Sequence, residues 1–168
     1  MCVLLVVAAY VDRAAAEGDV HKLEAIARDP THGTLDAVAL ARTGGGELRV
    51  SRASVGAWPT PVACGLAMGL VFALSPGVAL RRERMSDQER ADASAVVDHI
   101  ATVLGRKEFV RIGRPLDAAG ATVVAATETI RADDVLAAFA PTTALASRRA
   151  RIDWRALEAQ IGRARHAA

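Results

Sequence analysis

VLLVVAA (Val3–Ala9) and ATVVAA (Ala121–Ala126) are the two runs on which the fold turns. Each is continuously apolar and rich in Val, Leu or Ala, the pattern of a central strand covered on both faces. Val6-Val7-Ala8-Ala9 recurs as Val123-Val124-Ala125-Ala126, and each copy is followed by an acidic helix start, a short helix and another strand. Two β-α-β units related in this way are what a split, ferredoxin-like α+β sheet requires.

The flanking segments fit that plan. Asp12 can cap a helix with Ala16, Val20, Leu23 and Ala27 at 3.6-residue spacing, and Asp29-Pro30 stops it. Leu35–Arg42 and Glu47–Arg52 read as strands joined by a hairpin at Gly44-Gly45-Gly46. Leu48 and Val50 fall on one face of the second strand, and Glu47, Arg49 and Ser51 on the other. In the second unit, Asp133 is expected to cap a helix carrying Val135, Leu136 and Phe139, closed by Pro141. Thr143–Ser147 is a weaker strand. Asp153 caps a last helix with Trp154, Leu157 and Ile161 on one side. The whole chain, 1–168, reads as one domain, with 53–116 as a helical insertion between the repeats.

Pro61 to Leu80 is 20 residues without a charge, about the length of a helix that crosses a bilayer. Gly65, Gly69, Ala73 and Gly77 recur in it every fourth position and give one face a groove of small residues, a packing or oligomer interface against another helix. Ser75-Pro76 should kink or end that helix. A single membrane span would put Val3–Arg52 and Ala121–Ser147 on opposite sides of the bilayer, so it is incompatible with the sheet. A re-entrant hairpin needs a second apolar limb. The following segment carries Arg81, Arg82, Glu83, Arg84, Glu89, Arg90, Asp92, Asp98 and His99, and each charge at a helix centre costs about 2.5–3.5 kcal/mol on insertion scales. Asp87–Leu104 is instead a helix with Ala93, Val96, Ile100 and Val103 turned to protein and His99 on its polar face. Phe109, Ile112 and Leu116 form a short helical turn ending near Pro115.

With 21 basic and 19 acidic residues the net charge is +2, too near zero to imply a polyanionic partner for the whole chain. Cys2 and Cys64, both in apolar runs, read as buried free thiols in a reducing compartment. The start of the chain reads as a strand and not as a signal peptide, so the expected location is the cytoplasm, with the inner face of the membrane as the alternative. His21, His32, His99 and His166 fall in no metal-ligand spacing. Gly44-Gly45-Gly46 lacks the helix and Lys-Ser/Thr of a phosphate loop. The central strands lack the aromatics that nucleic-acid binding on such a sheet needs. The residues therefore indicate no catalytic group, metal, cofactor, nucleic acid or small-molecule ligand. Arg148, Arg149, Arg151, Arg155, Arg163 and Arg165 form a basic segment offset only by Asp153 and Glu158, read as a solvated helix face of which Arg148, Arg149, Arg151 and Arg155 can meet an anionic surface.

The order of motifs resembles a bacterial family known as domain of unknown function twelve sixty-nine, some members of which are labelled predicted membrane or stress proteins. The resemblance rests on VVAAY (Val6–Tyr10), ELRVSR (Glu47–Arg52), the glycine-zipper insert, EFVRIGRPLDAAGATVVA (Glu108–Ala125) and DVLAAFAP (Asp134–Pro141). It implies a ferredoxin-like core with a hydrophobic insertion and brings no catalytic residues with it. The chain departs from the family after Pro76, where a second small-residue limb is replaced by the charged stretch Arg81–Gly105. The expectation from these readings is a non-enzymatic protein that self-associates as a homo-oligomer through the glycine helix. The alternative is a peripheral membrane protein using the insert and the basic C-terminal segment.

Overall fold

A computed structural model describes residues 1–29, 33–54, 56, 58, 65–75, 86–139 and 142–167. The elements are β1 (Cys2–Tyr10), α1 (Arg13–Ala27), β2 (Leu35–Arg42), β3 (Leu48–Ser54) and α2 (Gly65–Leu74). They continue with α3 (Asp87–Ala118), β4 (Ala121–Glu128), α4 (Ala132–Ala138), β5 (Ala144–Arg151) and α5 (Trp154–Ala167). A 3-10 turn, Thr129–Arg131, leads into α4. The chain is α+β, with five strands in one sheet in the order β3-β2-β4-β1-β5 and every neighbouring pair antiparallel.

The two echoing segments lie side by side at the centre of the sheet, with Val6 opposite Ala125 and Ala8 opposite Val123. Their unbroken apolarity follows from a sheet covered on both faces. Val3, Leu5 and Val7 of β1, Val38 and Leu40 of β2, and Val124 and Ala126 of β4 point into one core with α2, α3 and α5. Leu4, Val6, Ala8 and Tyr10, with Leu35, Ala37, Val123 and Ala125, point into a second core under α1 and α4. Alternate residues of one strand thus serve different layers, and a polar group in either set is costly to bury without a partner.

Several sequence expectations hold in detail. Asp12 accepts the Ala15 N–H and caps α1. Gly46, at φ 83°, closes the β2–β3 turn. Asp153 accepts the Arg155 and Ala156 N–H groups at the start of α5. Ala93, Val96 and Ile100 are buried, on a helix whose first limb ends where Gly105 turns to φ 70°.

Others need correction. Phe109–Leu116 is not an isolated turn: the helix resumes after Gly105 and runs through Pro115 to Ala118. Proline removes one backbone hydrogen bond there without ending the helix. Asp133 does not cap α4; Arg131 occupies the cap position without a side-chain bond, and Asp133 and Asp134 lie in the first turn, where carboxylates oppose the positive end of the dipole. His99 is buried and not on a polar face, its Nδ1 3.0 Å from Gln160 Oε1. Asp92, two turns before it, is fully buried and accepts Arg165 Nε–H at Oδ1 and Nη2–H at Oδ2, each at 2.7 Å. Helix α5 lies over this side of α3 and supplies both polar partners. Cys2 is exposed, because it opens β1 opposite Arg151 on the sheet's rim. Cys64 and His32 lie outside the described residues.

In the α1 layer, Tyr10 donates its hydroxyl to Asp19 at 2.7 Å, and Lys22 donates to the other oxygen of Asp19 at 2.5 Å. Burial, and then the hydrogen bond and charge of Asp19, push the Tyr10 phenol well above its ordinary range. The folded state therefore resists phenolate formation. The stability linked to Tyr10 is intact below the unfolded value of about 10 and is lost as pH rises beyond it. Tyr10 is the chain's single tyrosine, so its ionisation can be read alone. Phenolate absorbance should appear only together with alkaline unfolding followed by circular dichroism. A phenolate signal near pH 10 in a protein that stays folded would contradict the buried Tyr10–Asp19 pair.

Candidate functional site

Asp36 is the one acid in the inward-facing run of β2, and it ties the inserted segment to the sheet. It is 1% exposed. Its Oδ2 accepts Trp58 Nε1–H at 2.7 Å, the Leu66 N–H at 2.6 Å and the Ala67 N–H at 3.5 Å, while Oδ1 accepts the Gly56 N–H. Burial pushes the Asp36 carboxyl above its usual range, and the hydrogen bonds from Gly56, Trp58, Leu66 and Ala67 draw it back. Two of the four donors belong to the first turn of α2, where backbone N–H groups have no helical partner. The Trp58 ring in turn stacks on Trp154 of α5, with centroids 5.6 Å apart. One carboxylate therefore fixes the entry of the glycine helix and places the indole on which α5 begins.

The glycine helix is an inner layer of the domain. Residues 65–72 of α2 are all buried. Gly65, at φ 71°, opens the helix in a conformation that favours glycine. Gly69 faces α3 so closely that an added Cβ would lie 2.2 Å from Val96 Cγ1 and 3.0 Å from Val96 Cβ. Ala73 is half-buried near the end of the helix, and Gly77 lies outside the described residues. The small-residue face is thus filled at Gly69 by a side chain of the same molecule.

The arginines are spread over different surfaces. Arg148, Arg149 and Arg151 are on the edge strand β5 and not on a helix face; β5 runs to Arg151 because it pairs with β1 as far as Cys2, and an edge strand tolerates charges that a central one does not. Arg148 lies on the α3 side and meets Glu108 at 3.0 Å. Arg149 and Arg151 point the other way, opposite Leu4 and Cys2. Arg155 is in the first turn of α5. Arg149, Arg151 and Arg155 are exposed and form no ion pair among the described residues. Beside them Leu145, on the same side of β5 as Arg149 and Arg151, is 42% exposed.

No cluster of His, Cys, Asp and Glu suited to a metal ion occurs among the described residues, and no helix among them is long and apolar enough to cross a membrane. The only mark of the Asp36 anchor in the sequence is a lone acid within the apolar run Leu35–Ala41. The Asp92–Arg165 and Tyr10–Asp19 pairs had no comparable mark, since each joins residues far apart in chain or pattern. No family model, curated protein or solved structure matches the chain.

Two outcomes follow from the contacts of α2. Gly69→Ala should lower stability by about 1–3 kcal/mol through overfilling, with the mass in solution unchanged, and Val96→Ala in the same chain should recover part of the loss. Chemical denaturation and light scattering read both; a fully additive double variant would contradict the contact. Asp36→Ala, which leaves several buried donors without an acceptor, should cost about 3 kcal/mol or more. A loss under 1 kcal/mol would contradict the anchoring role.

Proposed function

We propose that the chain is a non-enzymatic binding domain on a ferredoxin-like core, which docks on an anionic surface through the rim formed by β5. Support for the topology comes from the strand order. Without the added hairpin strand β3 it reads β2-β4-β1-β5, two β-α-β units each spanning a strand of the other. Helices cover both faces of the central strands, which leaves the edges and ends of the sheet for partners.

The observation that carries the binding reading is the charge on β5. It is paired only with β1, and Arg149 and Arg151 project from it without an acid partner among the described residues. Arg155, in the first turn of α5, adds a further charge with no ion pair among the described residues, while the charge of Arg148 is offset by Glu108. The cytoplasmic leaflet of a membrane is an anionic surface of this kind, attracting basic side chains by about 1 kcal/mol each. In this reading the glycine helix serves packing, and contact with lipid is peripheral. A second copy paired along β5 is the competing partner, since an unpaired edge is a template for another strand. Three arginines on that strand in each copy oppose it.

Co-sedimentation with phosphatidylserine-containing vesicles tests the proposal. Binding should fall at high salt and should weaken roughly thirtyfold in Arg149→Ser/Arg151→Ser, from about 1 kcal/mol per arginine. Binding that ignores salt and both substitutions, or a salt-stable dimer lost on the same substitutions, would overturn it.

A further inference from the structure

We infer that the cleft between the second limb of α3 and the β1–β5 pair is a binding site for a small amphipathic anion, an acidic head group on a short apolar body. The cleft encloses about 400 Å³, within the range of small-molecule sites. Its floor is Ala9, Ala144 and Ala146, and Pro115 forms part of the wall. Ala9 and Ala144 face each other across the β1–β5 ladder, so the space exists because two methyl groups stand where larger side chains would fill it. Helix α5 packs on α3 and contributes no residue to the lining of this cleft.

The rim carries the charge. Arg111 and Arg114 are one turn apart on α3 and both line the cleft. Glu108, one turn before Arg111, is held by Arg148 at 3.0 Å and lies 4.0 Å from Arg111. Arg114 forms no ion pair among the described residues. One guanidinium without an ion pair among the described residues and a second that shares its single acid with Arg148, above a floor of alanines, complement a ligand with one anionic end and one apolar end. Guanidinium forks bind carboxylate and phosphoryl oxygens alike, so the head group is either of these.

A larger cavity between the start of α1 and the β2–β3 hairpin, about 650 Å³, also carries arginines. There Arg13 is bound to Glu17 at 2.7 Å, Arg49 to Glu47 at 3.2 Å, and Arg42 to backbone carbonyls of Gly46, Leu116 and Ala119. Its cations are engaged, whereas in the α3–β5 cleft Arg111 has only the 4.0 Å contact with Glu108 and Arg114 has no ion pair among the described residues.

Calorimetric titration of the full chain with octanoate, octyl phosphate and inorganic phosphate, below micelle-forming concentrations, tests the site. One or both octyl compounds should bind, the tighter one identifying the head group, and inorganic phosphate should bind at least tenfold more weakly. Arg111→Gln/Arg114→Gln should weaken the octyl ligand about tenfold or more. Ala144→Leu, which fills the floor and leaves both arginines, should weaken it similarly. Arg149→Ser/Arg151→Ser should leave it unchanged, which separates this site from the β5 rim. Absence of binding by both octyl compounds, binding indifferent to the cleft substitutions, or phosphate binding as tightly as they do would each overturn the inference.

Discussion

The carboxylate of Asp36 is the contact on which the arrangement of this chain depends. An acid with 1% exposure in a central layer is costly unless its oxygens are fully engaged. Here they receive the indole of Trp58 and the first-turn amides of α2. The helix start gains an acceptor, the acid gains donors, and an apolar helix that could otherwise sit anywhere is fixed against β2. From that point the packing propagates. Gly69 lets α3 approach at Val96, α3 carries Asp92 to Arg165 of α5, and Trp58 stacks on Trp154 at the start of the same helix.

The consequence is a sheet with no open face at its centre. One layer is α2, α3 and α5; the other is α1 and α4. Folds that bind ligands or nucleic acid on an exposed sheet need one face free, and this one has neither. What remains for recognition is the rim, where β5 presents arginines, and the ends of the sheet, where short side chains leave clefts. The polar pairs inside the domain, Tyr10–Asp19 and Asp92–Arg165, hold helices in register and are closed off from solvent on most sides. Their placement suits a structural role better than a chemical one.

Much of the fold is legible in the sequence because it is written in local periodicity. The continuous apolarity of Val3–Ala9 and Ala121–Ala126 marks central strands, and these strands do pair. Asp12 and Asp153 mark helix starts by capping chemistry that acts within three residues. The failures lie where distant partners decide. β5 extends through Arg148–Arg151 because β1 is there to pair with it, which overrides the poor strand pattern of those residues. His99 and Asp92 look polar-faced on their own helix and become buried because α5 brings Gln160 and Arg165 to them. The glycine spacing identifies a close helix contact, but only the position of α3 assigns the partner of Gly69 to the same chain. The arginines appear in sequence as one basic segment; the strand's alternation divides them between two faces.

The glycine helix is a built-in layer of the domain, with residues 65–72 buried and its first turn held by Asp36. Native-state amide hydrogen exchange in detergent-free, dilute solution measures this most directly. Amides in the interior of α2, from Gly69 through Leu74, should open with free energies close to those of β1 and β4, since they would be released only with the core. Rapid exchange throughout α2 while β1 and β4 remain protected, or protection of α2 that appears only on vesicles or at high protein concentration, would contradict the account.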